Sequence, residues 1–176
     1  MDRFALHTLS CRYSAGRIPR HAALNDIIRR ALLAAGIPAQ LEPAGLDRGD
    51  GKRPDGITIF PYTRGRCLVW DATCVDTFGP SHLTRSAIAA GSAASEAESR
   101  KTKKYADLAA RFFFQPVAVE TSCVLGPSTR DFLRDLGTKV AIAHNDVRER
   151  TWLLQRISLA VVRGNAHCVL SSSRSL

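Results

Sequence analysis

The sequence has no apolar run near the roughly 18 residues that a bilayer-crossing helix requires. The apolar stretch Ile157 to Val162 is closed in by Arg156 and Arg163, so no membrane span is expected. The N-terminus carries Asp2 and Arg3 and only a short apolar patch before His7, which lacks the core of a signal peptide and argues against secretion. A CxxC pair is also missing. Cys11, Cys67, Cys74, Cys123 and Cys168 are odd in number and scattered, as expected of reduced thiols in an intracellular protein rather than of a disulfide framework. No internal repeat or low-complexity segment interrupts the chain.

What is present suits one folded domain: 176 residues, 45% hydrophobic and 23% charged. Lys and Arg number 25 against 16 Asp and Glu, a net charge of +9, which favours a polyanionic partner, nucleic acid being the commonest. Solubility alone is the simpler use of such charge.

Leu24, Ile28, Ala31 and Ala35 repeat at helical spacing and predict a helix over residues 20–35, with Pro19 in its first turn and Gly36 and Pro38 at its end. A short strand over 40–43 and a polar turn-rich loop over 45–52 follow. Residues 56–60 and 67–75 read as two strands joined through Arg64-Gly65, a hairpin. Residues 81–111 are rich in Ala, Ser and Lys and read as one long helix or two broken near Gly91. A buried strand is expected over 112–120, then helices over 128–143 and 149–170, then a frayed tail over 171–176. The order predicts an α/β sandwich with a mixed sheet flanked by helices.

Chemistry is concentrated at the hairpin. Asp55 at the mouth of one strand and Asp71 inside the other come to one end of the sheet if the hairpin is tight, and paired carboxylates attract a hard cation. A carboxylate amid Leu68-Val69-Trp70 is costly to bury without a partner, although an edge-strand aspartate facing water fits the spacing too. Helical projection places Ala94, Ala97, Lys101, Tyr105, Leu108 and Phe112 within a sector of roughly 80°, so Lys101 lies on the core-facing stripe. A lysine there either meets a carboxylate or snorkels out between small alanines. Glu98, three residues earlier, is a rival partner for it. Two carboxylates, a cation and an inward lysine are the parts of a metal-dependent phosphodiesterase.

These residues resemble a known family. Arg53-Pro54-Asp55, then Asp71-Ala72-Thr73, then Lys101 to Tyr105 in an αβββαβ-like order look like the PD-(D/E)xK, or restriction-endonuclease-like, superfamily. They are most similar to the endonuclease domain that follows the reverse transcriptase in site-specific non-LTR retrotransposon polyproteins. Arg20-His21 matches the Arg-His pair that opens the family's first helix, and His7 to Cys11 looks like the second half of a zinc knuckle, with no zinc expected because only two ligands are present. The resemblance implies residues 1–18 as a knuckle remnant, 19–170 as the endonuclease-like domain and 171–176 as tail. It implies Asp55 and Asp71 as ligands of Mg²⁺ or Mn²⁺, and Asp55, Asp71, Lys101 and Tyr105 as the catalytic set, with Lys104 as second choice for the amine. The superfamily's usual lysine, two residues after the second acid, is replaced by Thr73, so the amine has to come from the helix.

The implied activity is nicking of target DNA for retroelement insertion, in the nucleus, with retroelement RNA as a further partner and a reverse transcriptase expected upstream. No transcriptase lies in this chain, which reads as a fragment or a solitary remnant. Arg20, His21, Arg53, Lys103, Arg156 and Arg163 are the candidate nucleic-acid contacts. The alternatives are a catalytically silent nucleic-acid-binding remnant, and a basic module that binds protein through its C-terminal helices. His21 and Asn25, one turn apart, either approach the metal site or form a helix cap with a polar flank. Glu42 reads as a third acid or an ordinary exposed glutamate, Asp76 as a turn residue and Glu120 as an accessory acid at most. Trp152, Leu153, Ile157, Ala160 and Val161 are assigned to the core, and Cys123, His144, His167 and Cys168 to no metal site.

Overall fold

In the computed structural model the described residues are 9, 14–46 and 53–173, the side chains of 172 and 173 excepted. The knuckle-like residues His7 and Cys11, most of the loop over 45–52 and the last tail residues therefore lie outside the description. The elements in chain order are α1 (Arg17–Ala34), β1 (Ala39–Leu41), β2 (Gly56–Thr58), β3 (Leu68–Val75), α2 (Leu83–Ile88), α3 (Ser92–Lys104), α4 (Ala106–Ala109), β4 (Phe113–Glu120), α5 (Pro127–His144) and α6 (Glu149–Ser173). The strands form one mixed sheet in the order β1-β2-β3-β4, antiparallel except for the parallel β3–β4 pair. This is the α/β class with a helix-flanked mixed sheet expected from the sequence.

Alternation along β3 assigns the two faces. Leu68, Trp70 and Ala72 join Leu24, Ile28 and Leu32 of α1, Leu133 and Leu136 of α5 and Ile157 and Val161 of α6 in the main core. The opposite face is thin: Ala94 and Ala97 of α3 pack on Ala118 and Val75, and such small side chains allow α3 to lie close to the sheet.

The β2–β3 hairpin closes through Arg64 and Gly65, both at positive φ, between the paired residues Thr63 and Arg66, as a two-residue turn of type I′ requires. The expected strand over 56–60 stops at Thr58, and Ile59 and Phe60 beyond it are exposed. Pro116 is accommodated in β4 because that strand is an edge of the sheet. The segment over 81–111 divides into three helices, one break falling at Gly91, whose φ of 86° glycine adopts without strain, and another at Tyr105. The final helix runs through Ser173, so the first part of the expected tail is helical. Trp152 is a partial correction: Leu153, Ile157 and Val161 are buried, whereas Trp152 is exposed, with the Arg148 guanidinium 5.0 Å from its ring.

Gly56 is dictated by Trp70 across the hairpin, since a Cβ on Gly56 would fall 2.1 Å from the indole. Gly56→Ala is therefore expected to destabilise the fold by at least about 1–3 kcal/mol, the range for overpacking, measured by urea unfolding. An unchanged midpoint would show that the indole moves aside freely.

Candidate active site

Asp55 immediately precedes β2 and is fixed by its backbone: its N–H donates to the Trp70 carbonyl at 3.0 Å and its carbonyl accepts from the Glu42 N–H at 2.8 Å. Pairing of Gly56 with Trp70 sets Asp55 opposite Asp71 when the antiparallel register is continued by one residue. The Asp55 Oδ2 accepts from the Ala72 N–H at 2.6 Å and lies 3.1 Å from His21 Nε2. The reading of His21 and Asn25 as site neighbours, rather than a cap and a polar flank, is the one the geometry carries. Asn25 lies within 3.4 Å of both His21 ring nitrogens, and its Oδ1 accepts from the Trp70 indole N–H at 2.9 Å. A chain of polar contacts thus runs from the core tryptophan to the Asp55 carboxylate.

Asp71 projects from the other face of β3, toward α3. It is buried, and its carboxylate pairs with the Lys101 ammonium, itself largely enclosed. The edge-strand reading of Asp71 and the snorkelling reading of Lys101 both give way to this ion pair. The fully buried Tyr105 reaches Asp71 Oδ1 and the Arg53 carbonyl, each at 3.2 Å, with one hydroxyl proton to share, and accepts from Lys104 Nζ at 2.7 Å. Lys104 therefore contacts the tyrosine while Lys101 holds the acid.

The other candidates separate. Glu98 does not pair with Lys101; it is buried and accepts from the N–H groups of Ser128 and Thr129 at 3.1 and 2.7 Å, which caps α5 from outside the helix. Glu120, fully buried, does the same for α3 through the amides of Ala93 and Ala94, at 3.1 and 3.3 Å, and is no accessory acid. Asp76 accepts from the Phe78 N–H at 3.1 Å, as its turn role requires. Glu42 is exposed and paired with Arg53.

Arg20 is 3% exposed: it crosses α6 over Gly164 and donates to Asn165 Oδ1 at 2.6 Å and the Leu9 carbonyl at 3.2 Å. It is thus a tie between helices and not a surface cation. Arg53, Lys103, Arg156 and Arg163 are exposed. Arg156 is paired with Glu149 at 3.1 Å and, with Arg163, lines a groove of about 440 Å³ between α1 and α6. A smaller cleft of about 320 Å³, bordered by Arg17, His21, Thr73 and Cys74, opens beside the site.

Among the described residues no group of three His, Cys, Asp or Glu side chains is arranged to hold a metal ion. Two carboxylates are nevertheless what Mg²⁺ commonly takes from protein, the remaining positions going to water and phosphate oxygens. Each carboxylate offers about four lone-pair directions, so the donors already on Asp55 and Asp71 leave room for a hard cation. The donor set fits.

Comparison with known proteins adds nothing to the geometry: no family model matches the chain, and no curated protein matches it.

The hydrogen bond that the His21 imidazole donates to Asp55, together with that carboxylate's charge, raises the His21 pKa above its ordinary value, against the opposing effects of burial and Lys101. Burial pushes Asp55 upward, but His21, the Ala72 N–H and Lys101 outweigh it and hold the carboxyl below the usual range. The His21 contribution to stability is complete below about pH 6.5 and is lost as pH rises through its raised pKa. The Asp55 contribution is present above about pH 4 and is lost as pH falls through its depressed one. Stabilisation by the pair is thus greatest between about pH 4 and 6.5. The His21 ring signals followed by NMR are expected to titrate above about 6.5 in the parent and lower in Asp55→Asn; equal midpoints would separate the two groups.

Proposed function

We propose that this domain is a metal-dependent DNA endonuclease of restriction-endonuclease-like architecture that nicks one strand of its target. The observation that carries the reading is the ion pair between Lys101 and Asp71, formed from opposite sides of the α3–sheet interface next to Asp55. An apolar strand interior is a costly place for a carboxylate whose only task is structural, and a paired lysine and tyrosine directed at it make a preorganised charge centre.

Asp55 and Asp71 would hold Mg²⁺ or Mn²⁺, which when bound polarises a phosphate oxygen and acidifies a water. Lys101 then stands where an ammonium can orient the attacking water or offset the negative charge that gathers on the phosphorus oxygens. Tyr105 fixes the direction of Asp71 and the backbone of Arg53 together. His21, braced by Asn25 and Trp70, fixes the direction of Asp55. The excess of basic residues supplies non-specific attraction for the polyanion. Retroelement insertion into chromosomal DNA, in the nucleus and with the element's RNA as a second partner, is the biological setting that the sequence resemblance supports. The carboxylate pair with its buried amine favours this reading over a protein-interaction module.

Supercoiled plasmid incubated with the purified chain and Mg²⁺ or Mn²⁺ should be converted to the open circle. Asp55→Asn, Asp71→Asn and Lys101→Gln, each checked by circular dichroism for retained fold, should lower the rate by about 100-fold or more. A parent chain that binds DNA yet leaves plasmid intact in both metals would favour the silent remnant, and nicking unchanged in Asp71→Asn would exclude this site.

A further inference from the structure

We infer that the groove between α5 and the start of α6, remote in sequence from the hairpin acids, is a docking site for the phosphate backbone of duplex DNA. The inference rests on the nucleic-acid reading proposed above but not on cleavage. The groove encloses about 510 Å³ and is lined by Arg130 and Arg134 of α5, Arg150 of α6, and Leu125, Val147, Thr151 and Leu154. No acid is among the described residues that line it.

The three cations are differently committed. Arg134 makes only a loose exposed pair with Asp131 at 3.4 Å, while Arg130 and Arg150 have no acidic partner among the described residues. Arg130 and Arg134 are one helical turn apart and face the same groove, and Arg150 approaches from the other wall. That wall is held close by Gly137, where a Cβ would lie 3.1 Å from the Arg150 Cα. The guanidinium is the side chain best shaped to grip a phosphate through two parallel N–H donors. The apolar lining is modest, with Leu154 39% exposed and Val147 projecting into solvent, too little to anchor an amphipathic peptide against which charge would be secondary.

The groove is also mechanically joined to the site. Glu98, one turn before Lys101 on α3, holds the amides of Ser128 and Thr129, the residues directly before Arg130. A duplex gripped in the groove is therefore referred to the same helix that carries the Lys101 amine.

The test is equilibrium binding of the full chain to a fluorescein-labelled duplex of about three helical turns in EDTA, which removes cleavage from the measurement, over a salt series. The triple variant Arg130→Gln/Arg134→Gln/Arg150→Gln is expected to bind about 10-fold or more weakly near physiological salt. Its slope of log affinity against log salt should be shallower by about 2 to 3, at roughly 0.9 per phosphate contact. A control of equal charge change, Arg29→Gln/Arg30→Gln/Arg85→Gln, removes cations already paired with Asp26 or Glu96 and should change the slope by less than one unit. An unchanged slope in the first variant, or an equal fall in the control, overturns the assignment and leaves the groove to an acidic protein partner. Failure of the nuclease reading would show separately, as a parent chain that binds with the full slope and does not nick.

Discussion

The pairing of Lys101 with Asp71 constrains more of this structure than any other single interaction. An unpaired carboxylate in the middle of β3 would cost several kcal/mol, and the same holds for an ammonium facing the sheet. Together they fix the rotation of α3 about its axis. The alanines at 94 and 97 then bring the helix close enough for the lysine to reach, and a larger residue at either would lift it away. Glu120 anchors the start of that helix and Tyr105 its end, so the amine has little freedom to leave the acid.

Asp55 is held from the opposite side. His21 comes from α1, which packs on the thick face of the sheet, whereas Lys101 comes from α3 on the thin face. The two acids sit at the seam where both layers reach the end of the hairpin. Lys101 and His21 each lower the carboxyl affinity of Asp55 for protons, and they oppose one another, since the ammonium lowers the tendency of the imidazole to charge. Charge in the site is thereby shared among four groups from the hairpin and the two helices. Asp55 and His21 set one another's protonation and Lys101 acts on both, so single substitutions among these groups will not add.

Features governed by local periodicity were legible in the sequence. The helical stripe of small residues identified Lys101 as inward, and the strand pattern around Arg64-Gly65 announced the hairpin that gathers the acids. Contacts that depend on long-range packing were not. Glu98 is one turn from Lys101 and carries the sign of a local salt bridge, yet its partners are amides about thirty residues away, at a helix start that no nearby signal connects to it. Arg20 opens a helix next to a histidine and reads as a surface cation, but Gly164 on α6 leaves a slot that its stem fills. Only the glycine hints at this, and a glycine inside a helical pattern signals a close approach without naming the residue that makes it. The contact of Trp70 with Asn25, the residue that in turn lies against the His21 ring, joins residues 45 apart.

The net charge of the sequence understates how basic the exterior of the fold is. Among the described residues Asp71, Asp76, Glu98 and Glu120 are all buried, against Arg20 alone of the arginines and lysines. Glu98 and Glu120 neutralise helix N-termini, and Asp71 neutralises an amine, so their charges are spent inside the fold. Acids withdrawn in this way cannot screen the exposed arginines of α5 and α6. The same residues that build the site and cap its helices therefore leave a surface more basic than composition alone indicates. A chain with equal counts of acid and base on its exterior would lack this surplus; this one acquires it as a by-product of how its core is closed.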